Sequence, residues 1–358
     1  MAQRESGREV LSAGAGLAAE VALESGGQLG EIETVRARGY WEQVWLRFRK
    51  DKVAIASGIV ILLLILAAFP GAPLVSNWLG HGPDEIHPTP GVGVDMNLVP
   101  RGPLTHTQDF NPETGKMEDI FFPLGTADTL GRDELLRLMY GARVSLMVAI
   151  GATLLSMFIG VLLGATAGYF RGWIDALISR LTEIVMAFPL LLFVIALAAT
   201  VGDRMQDITL HGVLPRGVLM LVLVGGTFGW FYPARIIRAQ VLSLREKEFV
   251  EAAQMVGSSD WRIIRSHLLP HLVAPIIVYS TLIVAQFVLF EAGLSFLGVG
   301  IKLPTASWGS LLESAPNFYL QQPWLMVWPG AAVLVTTLAF NLLGDGLRDA
   351  FDPRGAAH

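Results

Sequence analysis

The sequence contains no cysteine among its 358 residues. That removes disulfides, thiolate metal sites and cysteine nucleophiles from consideration. Charge is scarce too: only 16% of residues are Asp, Glu, Lys or Arg, against about 25% in an ordinary soluble domain. The net charge is −5, so no basic surface suggests nucleic acid as a partner. A phosphate-binding G-x-x-x-x-G-K-[ST] loop is missing. The single Gly-Lys pair, Gly115-Lys116, stands alone, and the chain is not expected to hydrolyse ATP by itself. Nor do His, Asp and Glu gather at one depth, as a membrane enzyme would need. No enzymatic activity and no cofactor are expected. His81, His87 and His106 lack the spacing of a compact metal site and read as exposed loop histidines. A secretory leader is absent from residues 1–39, which mix Arg, Glu and Gly and read as a flexible cytoplasmic tail.

What the chain has in abundance is apolar runs. Hydrophobic residues make up 53%, and mean hydropathy is +0.52. A helix crosses a bilayer core with about 20 mostly apolar residues. Six stretches qualify: Val53 to Pro70, closing on FPGAP; Val144 to Gly168; Ile184 to Val201; Val218 to Ile237; Leu272 to Phe290; and Trp324 to Leu343. Gly160, Gly164, Gly225, Gly226 and Gly229 lie within them and read as sites of close helix packing. Pro189 and Pro233 read as kinks.

Positive residues orient the bundle. Arg47, Arg49, Lys50 and Lys52 precede the first run, and Arg235, Arg238, Arg245, Lys247, Arg262 and Arg265 separate the fourth from the fifth. Both segments, and by alternation both termini, are expected in the cytoplasm. Arg132, Arg137 and Arg143 fall on the side this scheme places outside, but long loops translocate with little regard to charge. Asp133 to Tyr140 reads as a short amphipathic helix on the outer surface. The expected divisions are a tail over 1–40, a basic stretch and first span over 41–75, an extracytoplasmic loop over 76–142, a five-helix core over 143–347, and a cytoplasmic tail over 348–358.

The core contains a loop, 235–271, with its own pattern. Apolar residues recur at helical spacing through Ile236, Ile237, Val241 and Leu244, then Phe249, Val250, Ala253 and Val256. Gly257 can end that second helix at positive φ. Ser258, Ser259 and Asp260 offer N-caps for a helix starting near Trp261. Pro270 and Pro275 mark entry to the fifth span. Two intramembrane acids remain. Glu183 sits where a carboxylate would suit a helix's first turn, and Glu291 lies near the other end of the fifth run. Each is a candidate pathway or structural acid.

Glu251, Ala252 and Ala253 are followed after three residues by Gly257, and Leu269 and Pro270 close the pattern. This resembles the EAA motif of binding-protein-dependent ABC importer permeases, with His267 in the slot of the usual isoleucine. LGTADTLGRDELLRLMYGARVSL, GYFRGWIDALISRLTEIVMAFP, EAGLSFLGVG and NLLGDGLRDAFDPR look like segments of the dipeptide, oligopeptide and nickel permeases. The opening, a basic stretch before one isolated span, is similar to the C-type member of the permease pair. The first outside loop looks longer than usual, GTADTLGRD carries one extra residue, and Glu183 stands where an Asp is usual.

The resemblance implies an all-α integral membrane fold, a MetI-like type I bundle of six transmembrane helices with a cytoplasmic coupling helix. It implies a permease moving di- or oligopeptides, nickel or related solutes across a bacterial or archaeal inner membrane. The implied partners are a second homologous permease, two ATP-binding cassette subunits, an extracytoplasmic binding protein and membrane lipid. Glu251, Ala252, Ala253, Gly257, Leu269 and Pro270 would be the coupling residues. An ion-coupled secondary transporter is the rival reading; it would be expected to show buried charges or broken helices in repeated halves.

Overall fold

A computed structural model describes residues 39–111, 115–206, 208–209 and 214–352. The expected tail over 1–40 lies almost wholly outside them, as does 353–358. Helix α1 (Tyr40–Phe48) precedes the first span.

Among the described residues, four helices are long and apolar enough to cross a membrane: α2 (Lys52–Leu79), α3 (Glu134–Phe170), α9 (Asp260–Phe296) and α11 (Trp324–Phe351). Two bent pairs complete the set. One is α4 (Gly172–Ala187) with α5 (Leu190–Gln206), bent by 77°; the other is α6 (Val218–Gly229) with α7 (Phe231–Arg245), bent by 41°. Six spans result if each pair counts as one. Short helices α8 (Glu248–Met255) and α10 (Trp308–Ser314) stand between the long ones. The only regular strands among the described residues are β1 (Thr105–Asn111) and β2 (Lys116–Phe122), an antiparallel pair.

Most spans run further than hydropathy alone indicates. α2 starts on Asp51, whose carboxylate accepts from the Val53 and Ala54 amides, satisfying two of a helix's orphan donors. It does not close at FPGAP. A π turn over Ala67–Gly71 takes up Pro70, because widening the turn accommodates the residue that cannot donate. Asp133 to Tyr140 is not a separate surface helix either. Asp133 caps α3, accepting from the Leu136 amide at 2.8 Å, and the following residues are its first turns. Likewise Pro275 lies inside α9, which begins before Pro270 and passes through a π turn at Ile263–Leu268. The third run, by contrast, is broken. Pro189 disfavours helix at Phe188, which is extended at φ −85°, ψ 130°.

Glycines hold the core together by what they leave out. Gly160, Gly164 and Gly168 lie one turn apart along α3, facing α7. A Cβ on Gly160 would meet Pro233 Cβ at 2.4 Å, and one on Gly164 would meet the Ala234 carbonyl oxygen at 2.5 Å. Gly225 and Gly229 of α6 receive the Phe287 ring, and Gly226 receives Leu155. Close backbone approach of this kind maximises packing where lipid removes any hydrophobic drive for helices to associate. Outward positions such as Ile59, Leu62 and Leu63 of α2 are exposed, as a span facing lipid requires.

The segment between α2 and α3 is folded. His81 and His87 are buried, which corrects their reading as exposed. His81 shares a hydrogen bond with Asp133 at 3.1 Å and His87 with Asp109 at 2.8 Å, and both rings pack on Phe122. His106 instead stacks on Phe121. The hairpin is thereby fastened to the start of α3.

Candidate functional site

The loop joining α7 to α9 turns sharply twice. α7 ends at Arg245, and Lys247 is extended. α8 then makes two turns and stops where Gly257 takes φ +82°. The Ser258 amide donates to the Ala253 carbonyl and the Gly257 amide to Gln254, closing the helix by the left-handed glycine device. Nothing lies within 4 Å of a Cβ built on Gly257. Its requirement is therefore for backbone conformation alone. Ser259 occupies the next N-cap position without a side-chain bond. Asp260 accepts instead from the Tyr169 hydroxyl at 2.7 Å.

α8 buries Val250 completely and half-buries Ala253, while Glu251 and Ala252 are exposed. Leu269 is half-buried and Pro270 exposed. The motif residues therefore divide: Glu251, Ala252 and Gly257 lie on one projecting turn, and Leu269 and Pro270 open the run of α9 that leads back into the bundle. Motif matching alone did not single out Met255 and Val256. They are 82% and 86% exposed, an apolar tip between the two ends of the motif. Exposure rather than sequence reveals them, as two adjacent apolar side chains facing solvent at a projecting turn.

The loop is fastened to the spans at four points. Tyr169, at the end of α3, bonds Asp260, and Arg245 stacks over its ring at 5.5 Å. Arg171 pairs with Glu246 at 2.6 Å. Arg238 of α7 grips Asp175 of α4 through two bonds of 2.5 and 2.7 Å. Phe249 of α8 lies against His271 of α9, ring centres 5.0 Å apart. Of these contacts, that of Phe249 with His271 is made by α8 itself, and the others tie α3, α4, α7 and α9 together around it.

The two acids are placed differently. Glu183 is not in a helix's first turn but near the end of α4. It is exposed, pairs with Arg180 at 2.9 Å, and helps line a cavity of about 250 Å³ with Arg235 and Arg238. Glu291 is completely buried. Ser145 of α3 donates to its Oε2 at 2.6 Å and Ser295 to its Oε1 at 2.7 Å. Those hydroxyls in turn accept from the Trp308 and Ile301 amides. Glu291 thus stands at the centre of a hydrogen-bonded knot tying α3, α9 and the segment carrying α10. No group of three or more His, Asp or Glu able to hold a metal occurs among the described residues.

Residues 160–356 match the family described as "Binding-protein-dependent transport system inner membrane component". The chain belongs to that family. Residues 39–89 also match "N-terminal TM domain of oligopeptide transport permease C", in keeping with the resemblance to the C-type partner. Several curated permeases are similar over nearly their whole length. The dipeptide transport system permease protein DppC of Alkalihalophilus pseudofirmus is 35% identical over 88% of this chain and 90% of its own. The glutathione transport system permease protein GsiD of Pectobacterium atrosepticum is 33% identical over 90% and 94%. The oligopeptide transport system permease protein OppC of Haemophilus influenzae is 36% identical over 89% and 90%. A chain of the MetNI methionine ABC transporter aligns with 60% of this chain and 95% of its own at 16% identity, with a TM-score of 0.43, too distant to carry an argument. The family is one of multi-pass inner-membrane transport permeases, not an enzyme class. Such permeases work with ATPase and substrate-binding partners.

Proposed function

We propose that this permease is the C-type half of an ABC importer for short peptides, worked by ATPase subunits that seat on α8. The projecting helix carries the argument: a rigid two-turn helix, closed by Gly257 and tipped by exposed Met255 and Val256, suits insertion into a neighbour's groove. Glu251 and Ala252 lie on the same turn, the small Ala252 side chain leaving room for close approach. Two ATPase subunits would serve the pair of permeases, this chain and a homologous second one. The α8 end then faces the cytoplasm together with both termini, and the hairpin end faces outward, where a loaded binding protein docks. Closure of the ATPases moves α8, and the four fastenings carry that movement into the spans, which rock to open one side and then the other.

The peptide assignment draws on the relatives, whose names specify dipeptides, oligopeptides and glutathione, itself a peptide. The experiment is reconstitution of the assembled complex with uptake of labelled di- and tripeptides. ATP-dependent peptide accumulation supports the proposal. Accumulation of a metal chelate with no peptide uptake would refute the substrate class and leave the permease role standing.

A further inference from the structure

Three arginines, Arg132, Arg137 and Arg143, run against the charge pattern by standing at the hairpin end of α3. The first two are accounted for by carboxylates. Arg132 pairs with Asp128, and Arg137 pairs with Asp84 at 2.9 Å while also donating to the Pro304 carbonyl. Arg143 is different. Among the described residues it has no carboxylate partner; its guanidinium lies over the Phe69 ring at 5.4 Å. Its Nε is sealed from solvent without an acceptor. A cation at the edge of an apolar span favours an anionic partner, and an unsatisfied buried donor is costly. The Phe69 ring offsets part of that cost, and no carboxylate among the described residues offsets the rest.

Arg143 lines an open cavity of about 290 Å³. Tyr140, one turn back on the same face of α3, lines it as well, together with Asp84, Thr305, Val144 and Pro215. The Asp84 side chain is 56% exposed, and its bond to Arg137 uses Oδ1, leaving Oδ2 for another donor. The residues lining the cavity therefore include one cation without a carboxylate partner, one carboxylate with a spare oxygen, two hydroxyl-bearing side chains and apolar wall. Its charges are of opposite sign and its hydroxyls both donate and accept.

We propose that this cavity receives a short zwitterionic peptide, its terminal carboxylate on Arg143 and its ammonium on Asp84, with Tyr140 and Thr305 meeting the backbone between. The inference rests on the peptide reading above and names residues that would recognise the cargo within the permease. Guanidinium and carboxylate form the strongest of the ordinary hydrogen-bonded pairs, and docking would supply Arg143 with the partner the fold withholds. Because the chain carries no cysteine, a thiol introduced into it is the only one on this subunit, and its labelling is read on the subunit after separation from its partners.

The test uses Leu214→Cys, at a lining position given no contact with the peptide, in the assembled transporter in lipid nanodiscs, with labelling by a small thiol reagent as readout and dialanine and dialanine amide as probes. Dialanine at ten times its half-protecting concentration should slow labelling about tenfold by mass action. The amide, lacking the carboxylate, should not. Adding Arg143→Gln should raise the half-protecting concentration of dialanine roughly tenfold to a hundredfold, and Arg143→Lys should restore part of it. Equal labelling with and without dialanine overturns the proposal, as does equal protection by the amide. Labelling that follows the anionic-lipid content of the disc and ignores dialanine also overturns it and assigns Arg143 to a lipid headgroup. The comparison of acid with amide needs no change at Arg143, so a misfolded variant cannot mask the result. Failure of the peptide reading registers separately, as absence of any peptide uptake by the wild-type complex; failure of this inference registers with uptake intact.

Discussion

At the scale of single residues, burial and exposure separate positions that hold the fold from positions that do something. Glu291 accepts from two serine hydroxyls that themselves hold backbone amides of the segment around α10. Removing it strands buried donors in a site water does not reach. Glu291→Ala should cost on the order of 2–4 kcal/mol, read as a lowered Tm of the purified complex. Glu291→Gln, which keeps an acceptor oxygen, should lose less. Equal stability of wild type and Glu291→Ala would show the knot to be ornamental. Gly257 is the opposite case. No neighbour would touch a side chain there, so Gly257→Val should meet only the cost of a β-branched residue at φ +82°, about 1–2 kcal/mol. Insertion into the membrane should survive that. Copurification with the ATPases should not, because the chain leaving α8 would be redirected; full copurification of the variant would contradict the role given to the turn.

Among the elements, α3 and α7 form the packing on which the bundle depends, and its glycines were legible as packing residues from their setting in apolar runs. Gly164→Leu should separate the helices, since even a Cβ would fall 2.5 Å from the Ala234 carbonyl oxygen. Poor assembly and a low Tm are expected; a stable, assembled Gly164→Leu complex would deny the contact. The six apolar runs were legible because a bilayer demands length and hydropathy together. The loop's two helices were legible because their periodicity changes at a glycine. The 77° bend between α4 and α5 was not, since Pro189 announces a break but not its angle. The buried histidines were not legible either. His81 finds Asp133 52 positions away and His87 finds Asp109 22 away, and local sequence carries no trace of such pairs. Val256 reads from spacing as part of the apolar stripe of its helix, yet it and Met255 face solvent, because the helix ends there and its last turn faces away from the bundle.

For the whole molecule, the proposed orientation and the proposed drive stand or fall together. With α8 in the cytoplasm, Val10→Cys and Gly355→Cys should be labelled by a membrane-impermeant thiol reagent only from the cytoplasmic side and Met96→Cys only from the outside. Met96 is 81% exposed, so access there is not limited by packing. Labelling of Met96→Cys from the cytoplasmic side alone would invert the scheme and put α8 out of reach of any ATPase. The central claim is that peptide movement through this permease is driven from outside the chain, by way of α8. It is tested most directly by peptide uptake into vesicles carrying the assembled complex, wild type against Met255→Asp/Val256→Asp. Both side chains face solvent, so the substitutions should leave folding, insertion and Tm unchanged. Uptake should require ATP in the wild type and fall to background in the variant. Peptide uptake that persists in the variant, or that an ion gradient drives in the absence of ATP, would contradict it.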